Sequence, residues 1–321
     1  MYRKILAALV AGLGFLAAVQ AQQDYPNKPV RLVAPFPAGS TLDIAGRIVA
    51  QQLSEALGKQ VFVENRAGVS GLLGSNVVAK SPPDGYSLLF FTPSSMYSSV
   101  SLYSQMPFDP VKDLVPVTKI GNTDFVLIVG NNLPVTSLQE LVALAKAEPG
   151  KYSLGFKSLT AQLTVEWLKQ TTGVELLSVP YKDASAAFVD LASGQLSAMV
   201  EPVPSALGQI RAGRVRALAV AASQRSSALP NTPTVIEAGY PGFDTSVEAV
   251  IYAPAGTPRD IIDRLHKEIV KIVQTDSVRQ QLAQSGMDVV TSTPDKLAEA
   301  AKLQSAKWAK VIKLANIPKV N

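Results

Sequence analysis

The chain lacks cysteine and contains a single histidine, His266, among its 321 residues. The absence of cysteine excludes disulfide bonds, thiolate metal sites, iron–sulfur clusters and a cysteine nucleophile. A single imidazole argues against a histidine-rich metal site and leaves one candidate base for a nucleophile–base pair. His266 falls beside the apolar stripe of a predicted helix, which favours a packed or solvated residue over a catalytic base. We therefore predict no metal, no cofactor and no catalytic residue.

Charged residues are also scarce, at 17% of the chain, whereas apolar residues make up 47%. This balance supplies a packed core and excludes extensive disorder. The formal charge of +5 arises from 30 basic and 25 acidic residues, but no Lys/Arg run with interleaved aromatic residues is present. We therefore predict that the protein does not bind nucleic acid. The length fits two domains or one large domain.

The first 21 residues have the pattern of a secretory signal peptide. Arg3 and Lys4 form a basic start, an uncharged apolar run follows from Ile5 to Val19, and small residues precede a cleavage site after Ala21. The apolar run is about 15 residues long, which is short for a membrane span of about 20. The alternative is an uncleaved membrane anchor. We predict a signal peptide over residues 1–21 and a mature protein in the bacterial periplasm.

The mature sequence alternates predicted strands and helices. Strand 30–34 ends at a turn-rich loop, and apolar residues three and four apart predict a helix over 40–57, closed by Gly58. Repetition of this strand–loop–helix order favours a parallel sheet with helices on both faces. The other predicted strands are 61–63, 87–91, 125–129, 152–155, 176–179, 196–200, 215–221 and 250–254, and the other predicted helices follow the loop 67–74 or lie at 137–148, in the 160s, and at 185–191, 258–274 and 294–315.

The loop from Pro35 to Asp43 is a candidate anion site. Its small residues place backbone N–H groups at a helix start, where orphan amides and the positive helix end attract an anion. Ser40 and Thr41 add hydroxyl groups. However, Ser40 and Asp43 also have the spacing of a capping box, which is needed only to begin the helix, and Asp43 with Arg47 has the spacing of a surface ion pair. The residues alone leave both interpretations open.

Two further loops join strands to helices. The loop 67–74 lacks the G-x-G-x-x-G spacing of a dinucleotide site, so we interpret it as a tight turn that touches a ligand. In the loop 155–160, Ser158 or Thr160 is a natural N-cap for the next helix. Lys157 brings a formal charge to this loop and could meet a carboxylate, although a lysine at such a position often faces water.

A series of short motifs runs through the chain. They are YPNKPV (25–30), PFPAG (35–39) followed by Asp43 and Arg47, VENRAG (63–68), PDGY (83–86), FDPVKDL (108–114), VPYK (179–182), LAV (218–220), PTVIEAG (233–239) and APAGTP (253–258). In this order they resemble the solute-binding proteins of tripartite tricarboxylate transporters, the Bug or TctC-like family. The resemblance extends over essentially the whole mature chain.

The resemblance implies a type II periplasmic binding protein of the α/β class, with two lobes and a ligand cleft between them. Each lobe is expected to be a mainly parallel sheet flanked by helices. Residues 22–121 and 247–321 would form lobe 1 and residues 122–246 lobe 2, with hinges near 118–123 and 244–248. The expected partners are a small-molecule carboxylate ligand and membrane transporter subunits of the tripartite tricarboxylate type, and we expect a monomer.

Family members hold the ligand carboxylate largely through backbone amides and ordered water, at loops like 36–41 and 155–160. Asp183 stands where the family has glycine and Glu201 where it often has aspartate; together with Lys157 they leave the charge of the cleft open. The predicted ligand-binding residues are Phe36, Pro37, Ala38, Gly39, Ser40, Thr41, Asp43, Ser70, Thr92, Ser94, Lys157, Ser158, Thr160, Tyr181, Asp183 and Glu201.

The favoured function is capture of a small organic carboxylate and its delivery to a membrane transporter, without cleavage of any bond. One alternative is an exported enzyme such as a hydrolase, which would need a base, and His266 is the only imidazole. A second alternative is a ligand-loaded sensor that docks on a membrane kinase. The sequence does not identify the ligand.

Overall fold

The computed structural model describes residues 25–319, so the predicted signal peptide lies outside the described residues. No helix among those described is long and apolar enough to cross a membrane. The strands are β1 (Val30–Ala34), β2 (Val61–Asn65), β3 (Ser87–Phe91), β4 (Leu114–Thr123), β5 (Phe125–Gly130), β6 (Ser153–Phe156), β7 (Leu177–Pro180), β8 (Ala198–Pro202), β9 (Val215–Val220) and β10 (Val247–Pro254). The helices are α1 (Thr41–Leu57), α2 (Leu72–Ala79), α3 (Pro93–Leu102), α4 (Leu138–Ala147), α5 (Leu159–Thr172), α6 (Ala184–Ser193), α7 (Val203–Arg211), α8 (Arg259–Val273), α9 (Asp276–Gln284) and α10 (Pro294–Leu314).

The strands form two five-stranded sheets. The first has the order β2-β1-β3-β10-β4 and the second the order β7-β6-β8-β5-β9. In the first sheet β10 is antiparallel to both neighbours, and in the second β5 is antiparallel to both neighbours. The other four strands of each sheet therefore run in one direction. The predicted fold, two mainly parallel sheets flanked by helices, is confirmed, with one reversed strand in each sheet.

Helix α1 shows how the sequence sets these elements. Ser40 caps its start by accepting a hydrogen bond from the Asp43 amide, and Gly58 ends it in the left-handed conformation with φ of 65°. Its apolar stripe is buried against one face of the first sheet, which α8 also covers. Helices α3 and α10 cover the opposite face. The N-termini of α1 and α3 therefore reach the edge of the sheet from opposite sides.

The chain crosses between the two sheets at two places. It leaves the first sheet at Asp124, between β4 and β5, and returns in the segment between β9 and β10. At the point of crossing, Thr123 of β4 pairs with Val247 of β10. Strand β4 thus continues in the first sheet to Thr123, two residues beyond the lobe boundary that the sequence predicts at 121, and the division into lobes remains a prediction.

A helix contact also joins the two halves. Trp167 of α5 lies edge-on to Trp308 of α10, with ring centroids 6.1 Å apart. Lys307 of α10 places its Nζ 4.0 Å from the Trp167 ring centroid and donates a hydrogen bond of 2.6 Å to the Asp244 carbonyl. Burial lowers the pKa of Lys307 to about 8, although Asp244 and Glu248 oppose the shift. The second sheet is therefore held to the first by side-chain packing as well as by the two crossings.

Candidate ligand-binding site

A cavity of about 310 Å³ lies where the carboxyl-terminal edges of the two sheets face each other. Parallel strands end together at one edge of a sheet, and the loops and helix starts that follow them meet there, which is where α/β proteins bind ligands. The volume is at the small end of the range for ligand pockets, about 300–1,000 Å³. The lining residues are Phe36, Pro37, Ser40, Thr41, Leu42, Thr92, Ser95, Thr123, Phe125, Ser158, Thr160, Pro202 and Val247.

Three helices begin at this cavity. The cap or first-turn residues of α1, α3 and α5 all contribute to its wall. The first turn of a helix has amide N–H groups without intrahelical acceptors, and the helix dipole is positive at this end. The cavity therefore receives positive potential and hydrogen-bond donors from the backbone of both halves of the protein, an arrangement that suits an anion.

The wall of the cavity carries no formal charge. Seven of the lining residues have a hydroxyl group, and the other six are apolar. An anion bound here would be held by amides and hydroxyls, since none of these described lining residues is an arginine or a lysine. The apolar residues favour a ligand that also has a hydrocarbon part.

The loop before α1 combines both interpretations of its sequence. The Ser40 Oγ accepts a hydrogen bond of 3.3 Å from the Asp43 amide, and Asp43 Oδ2 accepts one of 2.8 Å from the Gly39 amide. The capping box is therefore formed and the Gly39 amide is occupied within the loop. Ser40 and Thr41 nevertheless line the cavity, so the same residues cap the helix and face the ligand site.

Asp43 is a structural residue of this loop. It is buried, and besides the Gly39 amide it accepts hydrogen bonds from Arg47 Nε at 3.0 Å and from Asn65 Nδ2 at 2.7 Å. Burial alone would raise the pKa of Asp43, but the bonds from Arg47, Asn65 and Gly39 together lower it. The negative charge is thus stabilised inside the loop and faces the helix start rather than the cavity.

The structure brings seven of the sixteen predicted site residues to the cavity wall: Phe36, Pro37, Ser40, Thr41, Thr92, Ser158 and Thr160. The other nine, which do not line it, are Ala38, Gly39, Asp43, Ser70, Ser94, Lys157, Tyr181, Asp183 and Glu201. Several of these have partners within the protein that account for them. The assignment of ligand contacts to individual residues therefore remains a prediction, with the first group supported by position.

Tyr181, Asp183 and Ser70 each have a local partner. The Tyr181 hydroxyl donates a hydrogen bond of 2.7 Å to Asp190, and desolvation together with this carboxylate raises the pKa of Tyr181 to about 12. Asp183 caps α6 by accepting a hydrogen bond of 3.0 Å from the Ala186 amide. Ser70 accepts a hydrogen bond from the Tyr103 hydroxyl. A role in holding the local fold is sufficient for all three.

Lys157 and Glu201 face each other. Lys157 Nζ lies 3.1 Å from Glu201 Oε1, and the Glu201 side chain is fully buried whereas that of Lys157 is 32% exposed. Neither Glu201 oxygen has a partner of hydrogen-bond geometry among residues 25–319, so the pair is an ionic contact without a well-aligned hydrogen bond. The two charges compensate each other, which leaves no free cation at this position to read the charge of a ligand.

Sequence reasoning missed six lining residues: Leu42, Ser95, Thr123, Phe125, Pro202 and Val247. Leu42 and Ser95 belong to helix first turns next to predicted positions, and this signal was available. Thr123, Phe125 and Val247 come from the two chain crossings, and their position depends on the pairing of β4 with β10. No local pattern in the sequence reveals that pairing.

The crossings have a second, polar side. Behind the cavity, a separate space of about 80 Å³ is lined in part by Asn122, Asp124 and Asp288. Asp124 is 7% exposed, and one of its oxygens and the Asn122 side-chain oxygen have no hydrogen-bond partner in the part of the chain that the structure describes. Desolvation raises the pKa of Asp124 to about 6; Asp288 and Asp244 add to the shift, and Ser246 opposes it.

Comparison with known proteins identifies the family. Residues 45–317 match the family model described as "Tripartite tricarboxylate transporter family receptor" (TctC). The chain belongs to this family. It is therefore a solute-binding receptor of the TctC family, and such receptors act outside the cytoplasm.

Individual relatives align over nearly the whole chain. BugT of Bordetella pertussis is 36% identical over 312 residues, which cover 96% of this chain and 95% of BugT. The solved structure of R. palustris Rpa4515 with adipate is 34% identical, covers 92% of this chain and 100% of that one, and has a TM-score of 0.74. The structure of MatC (Rpa3494) from Rhodopseudomonas palustris with bound malate is 26% identical, covers 90% and 100%, and has a TM-score of 0.70. These TctC-type receptors share the two-lobed fold.

Proposed function

We propose that this TctC-family receptor captures a small organic carboxylate between its lobes and delivers it to membrane subunits of a tripartite tricarboxylate-type transporter. The observation that carries the proposal is the meeting of three helix N-termini at an uncharged cavity rich in hydroxyl groups. A carboxylate is the anion that small amide and hydroxyl donors at helix starts bind well. The adipate and malate in the two solved relatives support this class of ligand.

The first turns of α1 and α5 are the expected carboxylate clamp, because they come from opposite lobes. Ser40 and Thr41 lie at the start of α1, and Ser158 and Thr160 at the start of α5. A carboxylate that accepts hydrogen bonds from both turns would hold the lobes together, so that ligand binding stabilises closure. Across the same gap, the Ser95 and Thr160 hydroxyl oxygens are 3.4 Å apart.

Binding without catalysis fits the placement of the imidazole. His266 lies on α8 and borders a shallow surface groove with Lys267, Lys271 and Gln274, and it does not line the cavity. An exported hydrolase would need a base at the ligand site. Incubation of the candidate carboxylates and their esters with the protein, followed by product analysis, should show no turnover, and turnover abolished in His266→Ala would favour the enzyme.

A thermal-shift screen across mono-, di- and tricarboxylates, aromatic acids and amino acids tests the proposal. A ligand at 100 times its dissociation constant stabilises a protein by about 2.7 kcal/mol. We expect at least one aliphatic carboxylate to raise the melting temperature, and its effect to be lost in Thr41→Val combined with Thr160→Val. A screen in which only cations or neutral solutes stabilise the protein would contradict the proposal.

Export and assembly are tested separately. We propose that residues 1–21 are removed on export to the periplasm, and intact mass of the exported protein should show cleavage after Ala21. Light scattering should give the mass of a monomer. Capture of transporter subunits from membranes by the ligand-loaded receptor, but not by the unloaded one, would support delivery to the proposed membrane partner.

A further inference from the structure

The first turn of α3 presents an unsatisfied polar group to the cavity. Thr92, the N-cap of this helix, is 2% exposed, lines the cavity, and has a hydroxyl without a hydrogen-bond partner among residues 25–319. Buried polar side chains almost always have a partner, because an unpaired one costs about 1–3 kcal/mol. The Thr92 hydroxyl therefore indicates a hydrogen-bonding group of a molecule held in the cavity.

Neighbouring groups of the same turn have the same character. The Ser94 hydroxyl is also buried without a partner in the described part of the chain. Pro93 occupies the first helical position, and the Met96 amide already donates to the Thr92 carbonyl at 3.1 Å. The amides of Ser94 and Ser95 are thus the first-turn N–H groups of this helix, which have no intrahelical acceptor. Together they form a compact set of donors at the positive end of a ten-residue helix.

This set is separate from the carboxylate clamp on α1. Helices α1 and α3 pack on opposite faces of the first sheet, so their N-termini meet the cavity from two sides. Apolar residues complete the wall, including Phe36, Phe125 and Val247. A ligand that satisfies both helix ends would have an anionic group at each end and hydrocarbon in its middle.

We propose that the first turn of α3 is a second anion subsite, and that the ligand is a dicarboxylate whose second carboxylate accepts hydrogen bonds from Thr92, Ser94 and Ser95. The inference rests on the proposed carboxylate-binding function and adds the substrate class and the residues that select it. Because no lining residue is cationic, the second charge is stabilised by the helix end and these hydroxyls. Thr92 is then a residue that distinguishes diacids from monoacids.

Calorimetry with matched acids tests this subsite. Adipate and hexanoate have the same chain length and differ in one carboxylate, and succinate and butyrate form a shorter pair. We expect the parent protein to bind one of the diacids at least about tenfold more tightly than its monoacid, the effect of a charge-assisted hydrogen-bond set. Thr92→Val keeps the side-chain shape and removes the hydroxyl, and it should weaken diacid binding by about tenfold while monoacid affinity stays within the error of measurement.

Thr172→Val is the matched control. Thr172 is a buried threonine at the far end of α5, and its hydroxyl donates a hydrogen bond of 2.6 Å to the Leu168 carbonyl. Its loss should lower the melting temperature without changing the preference for diacids. Ser95→Ala removes a partly exposed hydroxyl of the subsite and gives the same readout should Thr92→Val fold poorly.

The outcomes separate the two proposals. Equal affinity of the parent protein for the two members of each pair would overturn the subsite, and so would a preference for diacids that survives in both Thr92→Val and Ser95→Ala. In each of these cases carboxylate binding itself would stand. Failure of every carboxylate to bind would instead refute the proposed function, and with it the subsite.

Discussion

Replacement of Asp124 by asparagine should stabilise the protein at neutral pH. Asp124 lies at the crossing from β4 to β5, is 7% exposed, and has no cation within ion-pair distance among the described residues. Desolvation, with contributions from Asp288 and Asp244, raises its pKa from 3.8 to about 6. Its ionised form is therefore less favourable in the folded protein than in the unfolded chain.

The magnitude follows from linkage. A difference of about 2 pKa units corresponds to about 3 kcal/mol between the protonation states, at about 1.4 kcal/mol per unit. Because the folded pKa is the higher one, the folded state binds more protons between pH 4 and 6. The cost of the charge is complete above pH 6 and disappears as the pH falls to 4. Asparagine removes the charge, so Asp124→Asn should gain up to about 3 kcal/mol at pH 7.5 and almost nothing at pH 4.

Urea denaturation of both proteins from pH 4 to 8 measures this difference. Asp276→Asn, at an exposed position in the first turn of α9, serves as the control and should give no comparable pH-dependent gain. A variant less stable than the parent at pH 7.5 would refute the reasoning, as would a gain that is the same at every pH. Either result would mean that the Asp124 carboxylate has a favourable partner when it is ionised.

Three further substitutions test other contacts. Gly286→Ala places a methyl group in the ring of Pro204 from the opposite half, so it should weaken ligand binding by calorimetry, whereas Gly213→Ala, which also has a positive φ but meets no atom within 4 Å, should not. Lys157→Met leaves the fully buried Glu201 without its cation and should lower the free energy of unfolding in urea by about 3 kcal/mol; an equal loss of mono- and diacid affinity without a change in stability would contradict this. Asp43→Ala leaves three donors without their acceptor and should destabilise by about 2–4 kcal/mol above pH 5. Because hydrogen bonds lower the pKa of this carboxyl, the difference from the parent should shrink as acid protonates it, which denaturation at pH 3 would detect.

The sequence predicted most of the strands and helices that frame the cleft, because their apolar spacing and caps agree. It missed α3, although this helix holds the second proposed subsite. The reason is chemical: the buried face of α3 includes Ser98 and Ser99, whose hydroxyls donate to the Ser95 carbonyl of the same helix. Such residues satisfy their own polarity and leave no hydrophobic period to detect.

Strand β4 was missed for a different reason. It contains Pro116 and Gly121, residues typical of irregular chain, and the sequence suggested only a hinge over part of it. Proline lacks a donor, and at this position the bulges in the pairing with β10 accommodate it. Asp183 shows the opposite error, because a ligand role was assigned to a residue whose type and position before α6 already predicted an N-cap.

The uncharged wall of the cavity also determines what the receptor must do when it gives its ligand up. An arginine in this place would remain as an unpaired cation after the anion left, and its rehydration would be part of every opening. Amides and hydroxyls create no such debt, and they are divided between α1 and α3 on one side and α5 on the other. Separation of the lobes would therefore break the bonds to the ligand in two halves, and the anion could leave without a competing ion and with little dependence on ionic strength.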